Sequence, residues 1–268
     1  MNIKDFYAID GEKPLDRICA DGGFSSIFRT IACIGDSLSS GEFESTDKNN
    51  GGKNYHDMFE YSWGQFIART TGAKVYNFSR GGMTVHEYLD FWGENTGAFN
   101  TAKAAQAYII ALGSNDLISQ RGPVGSASDV DANDPDKCVP DTFAGRYGKL
   151  IHAYKKISPR ARFFLMPMPR EKDDKNDEIE VIISSHAKVL RDIAGMFDNT
   201  YVIDFNKYAP IYDAQFKKNF YLGGHLNPAG YALTAKMTMS YIDYIIRHNP
   251  RAFSDIGFIG TDLYNTSL

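Results

Sequence analysis

The sequence predicts an α/β protein, a three-layer α/β/α sandwich built on a central five-stranded parallel sheet. Three observations predict it. Five short runs are apolar without polar alternation, as strands covered on both faces must be. Segments with apolar residues at helical spacing separate most of them, the pattern of βαβ units with right-handed crossovers. The runs also tend to break off into Gly, Ser, Asn or Asp, the residues of turns. With 268 residues, 43% of them hydrophobic and 23% charged, the chain can bury one substantial core.

The first strand is read at Thr30–Ile34, ending in Gly35-Asp36-Ser37-Leu38. A polar loop over 47–52 follows, then Ser62-Trp63-Gly64-Gln65, a capping-box pattern that opens a helix ending near Gly72. The second strand is Lys74–Phe78, and Thr84-Val85-His86-Glu87 is a second helix start. Ala107–Leu112 is the third strand and ends in Gly113-Ser114-Asn115-Asp116. The stretch from Ser119 to Asp141 is too polar for core and is read as a lid or a mobile surface loop. Phe143, Tyr147, Leu150, Ile151, Tyr154 and Ile157 mark a helix closed by Pro159, and Arg162–Met166 is strand four. Ile179, Ile182, Ile183, Leu190, Ile193 and Phe197 mark the next helix, and Tyr201–Asp204 is strand five. Asn227-Pro228 caps and starts a last helix that runs to about His248. The domain therefore spans 29–250, preceded by an arm (1–28) packed on it and followed by a tail (251–268).

A net charge of −4 offers no basic surface for nucleic acid, and no apolar stretch is long enough for a secretion signal or a membrane span. Cys19, Cys33 and Cys138 are far apart and lack metal spacing, so they read as reduced, and the protein as cytoplasmic. No phosphate loop occurs, and His86-Glu87 lacks a second histidine, so neither a metal nor a cofactor is expected. Ser39 stands where a nucleophile elbow would need glycine, which argues against an ordinary α/β-hydrolase.

Ser37 follows strand one, Gly82 strand two, Asn115 strand three and His225 strand five, so all four lie at the carboxyl edge, where open α/β sheets place their ligands. A serine hydroxyl is a poor nucleophile unless a base takes its proton, and neutral histidine suits that role. The tetrahedral oxyanion formed by attack on an ester needs fixed donors. The alternative for Ser37 alone is a simple helix cap.

The blocks Gly35–Leu38, Asn77–Thr84, Gly113–Asp116 and His225–Gly230, in that order, resemble those of the SGNH (GDSL) hydrolase family. The resemblance implies the flavodoxin-like strand order and an esterase with Ser37 as nucleophile and His225 as base. It also implies oxyanion donors at Ser37 N–H, Gly82 N–H and the Asn115 amide. One position departs from the family pattern: an aspartate three residues before the histidine normally holds its Nδ1–H, and here that residue is Leu222. The acceptor could instead be a main-chain carbonyl, or a carboxylate from Glu42, Glu44, Asp204 or Asp213.

His152, His186, His86 and His248 read as structural or solvated, and Asp36 and Asp116 as loop braces; His56, in the loop before Ser62, reads as a surface residue, with lining the pocket as the alternative. The substrate is thus expected to be a small carboxylic ester. The family resemblance admits carbohydrate O-acetyl esters, lipids and thioesters, and short acyl groups are favoured because no apolar lid helix is visible. A ligand-binding protein on a disabled hydrolase scaffold is the competing reading, motivated by Leu222. A phosphate or sulfate esterase would call for more arginine than Arg80 and Arg170 supply.

Overall fold

A computed structural model describes residues 3–265. Five parallel strands form the central sheet: β1 (Thr30–Gly35), β4 (Lys74–Asn77), β5 (Ala107–Ala111), β6 (Arg162–Leu165) and β7 (Thr200–Val202), in the order β4-β1-β5-β6-β7. This is the flavodoxin-like order, with the topological switch at β1. The register pairs Ile31 with Ala107 and Gly35 with Ala111, so the ends of β1 and β5 lie side by side.

Because side chains alternate across a strand, each apolar run feeds two cores. Ala32, Ile34, Tyr108, Ile110, Phe163 and Leu165 face one layer, formed by α3 (Phe143–Ile157) and α4 (Glu178–Ala194). Ile31, Cys33, Ala107, Ile109 and Phe164 face the other, formed by α2 (Trp63–Thr71), α5 (Ala214–Phe220) and α6 (Pro228–His248). The predicted caps are in place: Ser62 Oγ accepts from Gln65 N at 3.1 Å, Asn227 Oδ1 from Gly230 N at 2.9 Å, and Thr84 and Glu87 form a reciprocal capping box.

Three regions differ from the sequence expectation. The segment around the polar 47–52 loop is a β-hairpin, β2 (Glu42–Thr46) against β3 (Lys53–Asp57), pairing Glu42 with Asp57 and Glu44 with Tyr55. Its residues are mostly polar and exposed, so no apolar pattern announces it. The 119–141 stretch is no lid over the candidate site. Val130 and Cys138 are buried in the core with α3, and Pro123 O and Val124 O accept from the first turn of that helix. The segment after α6 is also packed: Phe253, Ile256 and Ile259 are buried in the core that holds Phe28. The residues before β1 reach α6 through Cys19 N to Ser240 Oγ (2.9 Å), Phe24 N to Asp243 Oδ1 (2.8 Å) and Arg247 Nη1 to Tyr7 O (3.0 Å). All three cysteines are free thiols.

Candidate active site

β1 ends at Gly35, where a Cβ would collide with Ser39, and Asp36 turns the chain by accepting from Leu38 N at 3.0 Å. Ser37 is the first residue of the single-turn helix α1 (Ser37–Ser40) and is half-buried. Neither its Oγ nor its backbone N–H makes a hydrogen bond among the described residues.

The turn after β4 is tied to β1 by Ser79 Oγ to Cys33 O (3.1 Å) and Arg80 N to Gly35 O (3.2 Å). Gly82 sits there at φ +74°, a conformation that favours glycine, and its N–H is also unclaimed among the described residues. The turn after β5 brings Asn115 across, its Nδ2 donating to Met83 O at 3.2 Å, and Asp116 accepts from Val85 N at 3.0 Å. One amide N–H of Asn115 is thereby spent and the other left over. Beneath this turn His186 is wholly buried. Met168 N donates to its Nδ1 at 3.3 Å, so the ring carries its proton on Nε2, 3.2 Å from Leu112 O. Burial lowers the pKa of this imidazole to about 4, which keeps it neutral. Gly113, at φ +136°, lies against the ring with no room for a side chain. Burial likewise pushes the Asp36 and Asp116 carboxyls up to about 6. Both aspartates brace loops, as expected.

The imidazole of His225 is built differently. It stands on a two-residue strand, β9 (His225–Leu226), paired with β8 (Tyr221–Leu222) through a Gly223-Gly224 turn in which Gly223 has φ +69°. Strand β2 runs beside it. Glu42 and Glu44, two residues apart, share one face of β2 and reach the same ring, while Phe43 on the other face packs against Tyr61 and Tyr231. Glu44 Oε1 lies 3.0 Å from His225 Nδ1 and also accepts from Gly224 N, and its Oε2 holds Lys53 Nζ at 2.8 Å. The hydrogen bond from Lys53, helped by those from Gly224 and His225, lowers the Glu44 pKa to about 2. Tyr55, opposite Glu44 in the hairpin, sets its ring edge-on to the imidazole at 5.9 Å.

The Leu222 side chain is half-exposed and offers no acceptor. Asp204 is held by the Arg191 guanidinium at 2.6 and 3.1 Å, and Asp213 caps α5. Of the acceptors considered, Glu44 meets Nδ1. Glu42, considered for the same role, instead contacts the opposite nitrogen: its Oε1 is 3.0 Å from Nε2. Sequence reasoning missed that contact, whose only trace was the Glu-x-Glu spacing just after Ser37. Burial, together with Asp57 and Glu44 nearby, raises the Glu42 pKa.

The other histidines have local partners: His56 pairs with Ser45 across the hairpin, His86 with Asp90, His152 with Asp131 O and His248 with Tyr244 O. Among the described residues no three His, Cys, Asp or Glu side chains are grouped to hold a metal ion. Between the carboxyl ends of β1, β5 and β6 lies a mostly apolar cavity of about 80 Å³, lined by Leu38, Leu112, Met166, Met168, Tyr212 and Leu226 among others. It adjoins the immediate neighbours of Ser37 and His225 but neither residue itself.

The model of the GDSL-like Lipase/Acylhydrolase family matches residues 33–233, three quarters of the chain. Among solved structures the chain is similar to a carbohydrate esterase family 2 enzyme plus carbohydrate binding domain from Corynascus thermopiles (Myceliophthora fergusii), at 17% identity and TM-score 0.54, over 80% of this chain and 65% of that one. It is similar to a family two carbohydrate esterase from Clostridium thermocellum in complex with cellohexaose, at 18% identity and TM-score 0.54, over 84% and 65% of the two chains. A third likeness is to the acetyl xylan esterase AlAXEase, at 19% identity and TM-score 0.53, over 80% and 99%. At these identities the likeness is one of fold. No curated protein matches the chain by sequence.

Proposed function

The chain belongs to the GDSL-like lipase/acylhydrolase family of ester-hydrolysing serine hydrolases, and on that premise we propose that it cleaves short-chain carboxylic esters through an acyl-enzyme on Ser37, with acetylated carbohydrate as the substrate class. The observation that carries the reading is the 3.0 Å contact between His225 Nδ1 and Glu44 Oε1. It supplies the orienting carboxylate that the Leu222 side chain cannot.

In the reaction, Ser37 Oγ attacks the carbonyl carbon and His225 Nε2 takes the hydroxyl proton. Glu44 holds the ring by Nδ1–H and stabilises the imidazolium that forms. The oxyanion is met by the N–H groups of Ser37 and Gly82 and the free amide N–H of Asn115, donors that have no other partner to give up. The intermediate collapses, and the alkoxide leaves with the proton from His225. Water, deprotonated by the same nitrogen, then attacks acyl-Ser37, and the second intermediate collapses with Ser37 Oγ taking that proton back from His225 as the acid is released. The carbohydrate and acetyl xylan esterases among the structures of like fold support a short acid on a sugar alcohol.

Hydrolysis of a p-nitrophenyl ester series by wild type and Ser37→Ala tests this. We expect Ser37→Ala to lose on the order of 10⁶ in turnover, as removing a triad nucleophile does, and the wild type to be fastest on acetate or butyrate. Wild-type rates in Ser37→Ala would remove the nucleophile, and a maximum at eight carbons or more would remove the short-acyl assignment.

A further inference from the structure

For His225 to accept the Ser37 proton, Nε2 must be open, yet it is the nitrogen that Glu42 Oε1 contacts at 3.0 Å. The other oxygen of the same carboxylate, Oε2, lies directly over Gly81, in the space that a side chain on that glycine would fill. Gly81 adjoins the proposed oxyanion donor Gly82. One carboxylate thus stands between the imidazole and the glycine turn, its side chain only 13% exposed.

We propose that Glu42 is a self-occluding residue: its carboxylate occupies the place that the ester carbonyl, and later the product carboxylate, must take beside His225. This rests on the serine-esterase reading above and adds to it a closed resting state of the site.

Three features support it. Both ring nitrogens of His225 meet carboxylates, so the Nε2 that Ser37 would need is already engaged by Glu42. Ser37 Oγ correspondingly has no hydrogen-bond partner among the described residues. The anchoring is also asymmetric. Glu44 is fixed by Lys53 and Gly224 as well as the imidazole, whereas among the described residues the Glu42 side chain has the imidazole as its one ion-pair partner and is held in place through its main chain, where Glu42 O accepts from Tyr231 OH at 2.9 Å. Its side chain can therefore turn away without disturbing β2. Burial near Asp57 and Glu44 disfavours the ionised form and lowers the cost of leaving.

The test is the rate of labelling by a fluorophosphonate probe in wild type, Glu42→Ala, Glu42→Asp and Ser37→Ala, with thermal melts of each and with sodium acetate as competitor. If the open site is a minor population of the wild type, emptying it raises the labelling rate about tenfold or more. Glu42→Asp, one methylene shorter, should show a smaller gain. Acetate should slow labelling of Glu42→Ala by filling the vacated place and leave the wild type unaffected. Variants that melt like wild type but label no faster overturn the proposal, as does loss of the folded state in both, which would make Glu42 a structural residue. Labelling that persists in Ser37→Ala would instead overturn the nucleophile assignment. If Ser37→Ala blocks labelling while the Glu42 variants gain nothing, self-occlusion alone fails.

Discussion

The two halves of the site are made of different material. The proposed oxyanion donors, at the ends of β1, β4 and β5, rest on buried groups: Asn115 on Met83 O, Asp116 on Val85 N, Gly113 on the neutral ring of His186, and the β4 turn on two β1 carbonyls. The proposed base, His225, stands on two small hairpins outside the main sheet, β2–β3 and β8–β9, and is positioned by side-chain carboxylates, with Tyr55 exposed beside it. Donors that must not move while charge develops belong on a rigid frame. A base that must turn between serine, leaving group and water can be steered by groups with rotamer freedom, and that freedom is what allows Glu42 to take its place.

The largest effect expected beyond the nucleophile comes from the hairpin side. Glu44→Gln removes the negative charge that holds the imidazole, and we expect kcat on p-nitrophenyl acetate to fall by about 10²–10⁴, the usual worth of general-base assistance, with KM little changed. A loss under tenfold would show that His225 is held by something other than Glu44. On the frame side, Asn115→Ala should cost about 10²–10³ in kcat, the value of one oxyanion donor. Because Asn115 also spans to Met83, its melting temperature decides the interpretation: an unchanged melt with that loss places the effect on the oxyanion, and a full rate with an unchanged melt would take Asn115 out of the site.

The same division explains what could be read from the sequence. The frame is apolar and its pattern is local, so all five strands, the caps at Ser62, Thr84 and Asn227 and the two faces of the sheet are visible in runs such as Ile31–Ile34 and Ala107–Leu112. Position at a strand end then collects Ser37, Gly82, Asn115 and His225 at one edge. The hairpin side is polar, and polar residues carry no period. Lys53–Asp57 reads as loop because every residue in it is exposed, and whether Glu42, Glu44, Asp204 or Asp213 meets His225 depends on where β2 lies in space. Asp204 and Asp213 were equally plausible in one dimension. In three they are spent on Arg191 and on a helix cap.

The smallest expected effect sharpens the comparison by pH, because the two halves should respond with opposite signs. Burial raises Asp36 and Asp116 in the frame to about 6 from an ordinary 3.8, so the folded state holds protons that the unfolded chain releases. Stability contributed by that difference is present at low pH and is lost as pH rises from about 4 to about 6. At about 1.4 kcal/mol for each pH unit, the loss is at most roughly 3 kcal/mol per residue. Glu44, lowered to about 2 from 4.5, contributes stability above its unfolded value that is lost as pH falls through that range. Asp36→Asn keeps the cap geometry and cannot ionise, so it should melt higher than wild type at pH 7 by a few degrees and level with it at pH 4. Glu44→Gln should melt lower than wild type at pH 7, the difference closing only below pH 4. A gain in Asp36→Asn that is the same at both pH values would mean that the Asp36 carboxylate is not the buried charge the frame tolerates, and the contrast between a dry donor frame and a charged base hairpin would lose its electrostatic basis.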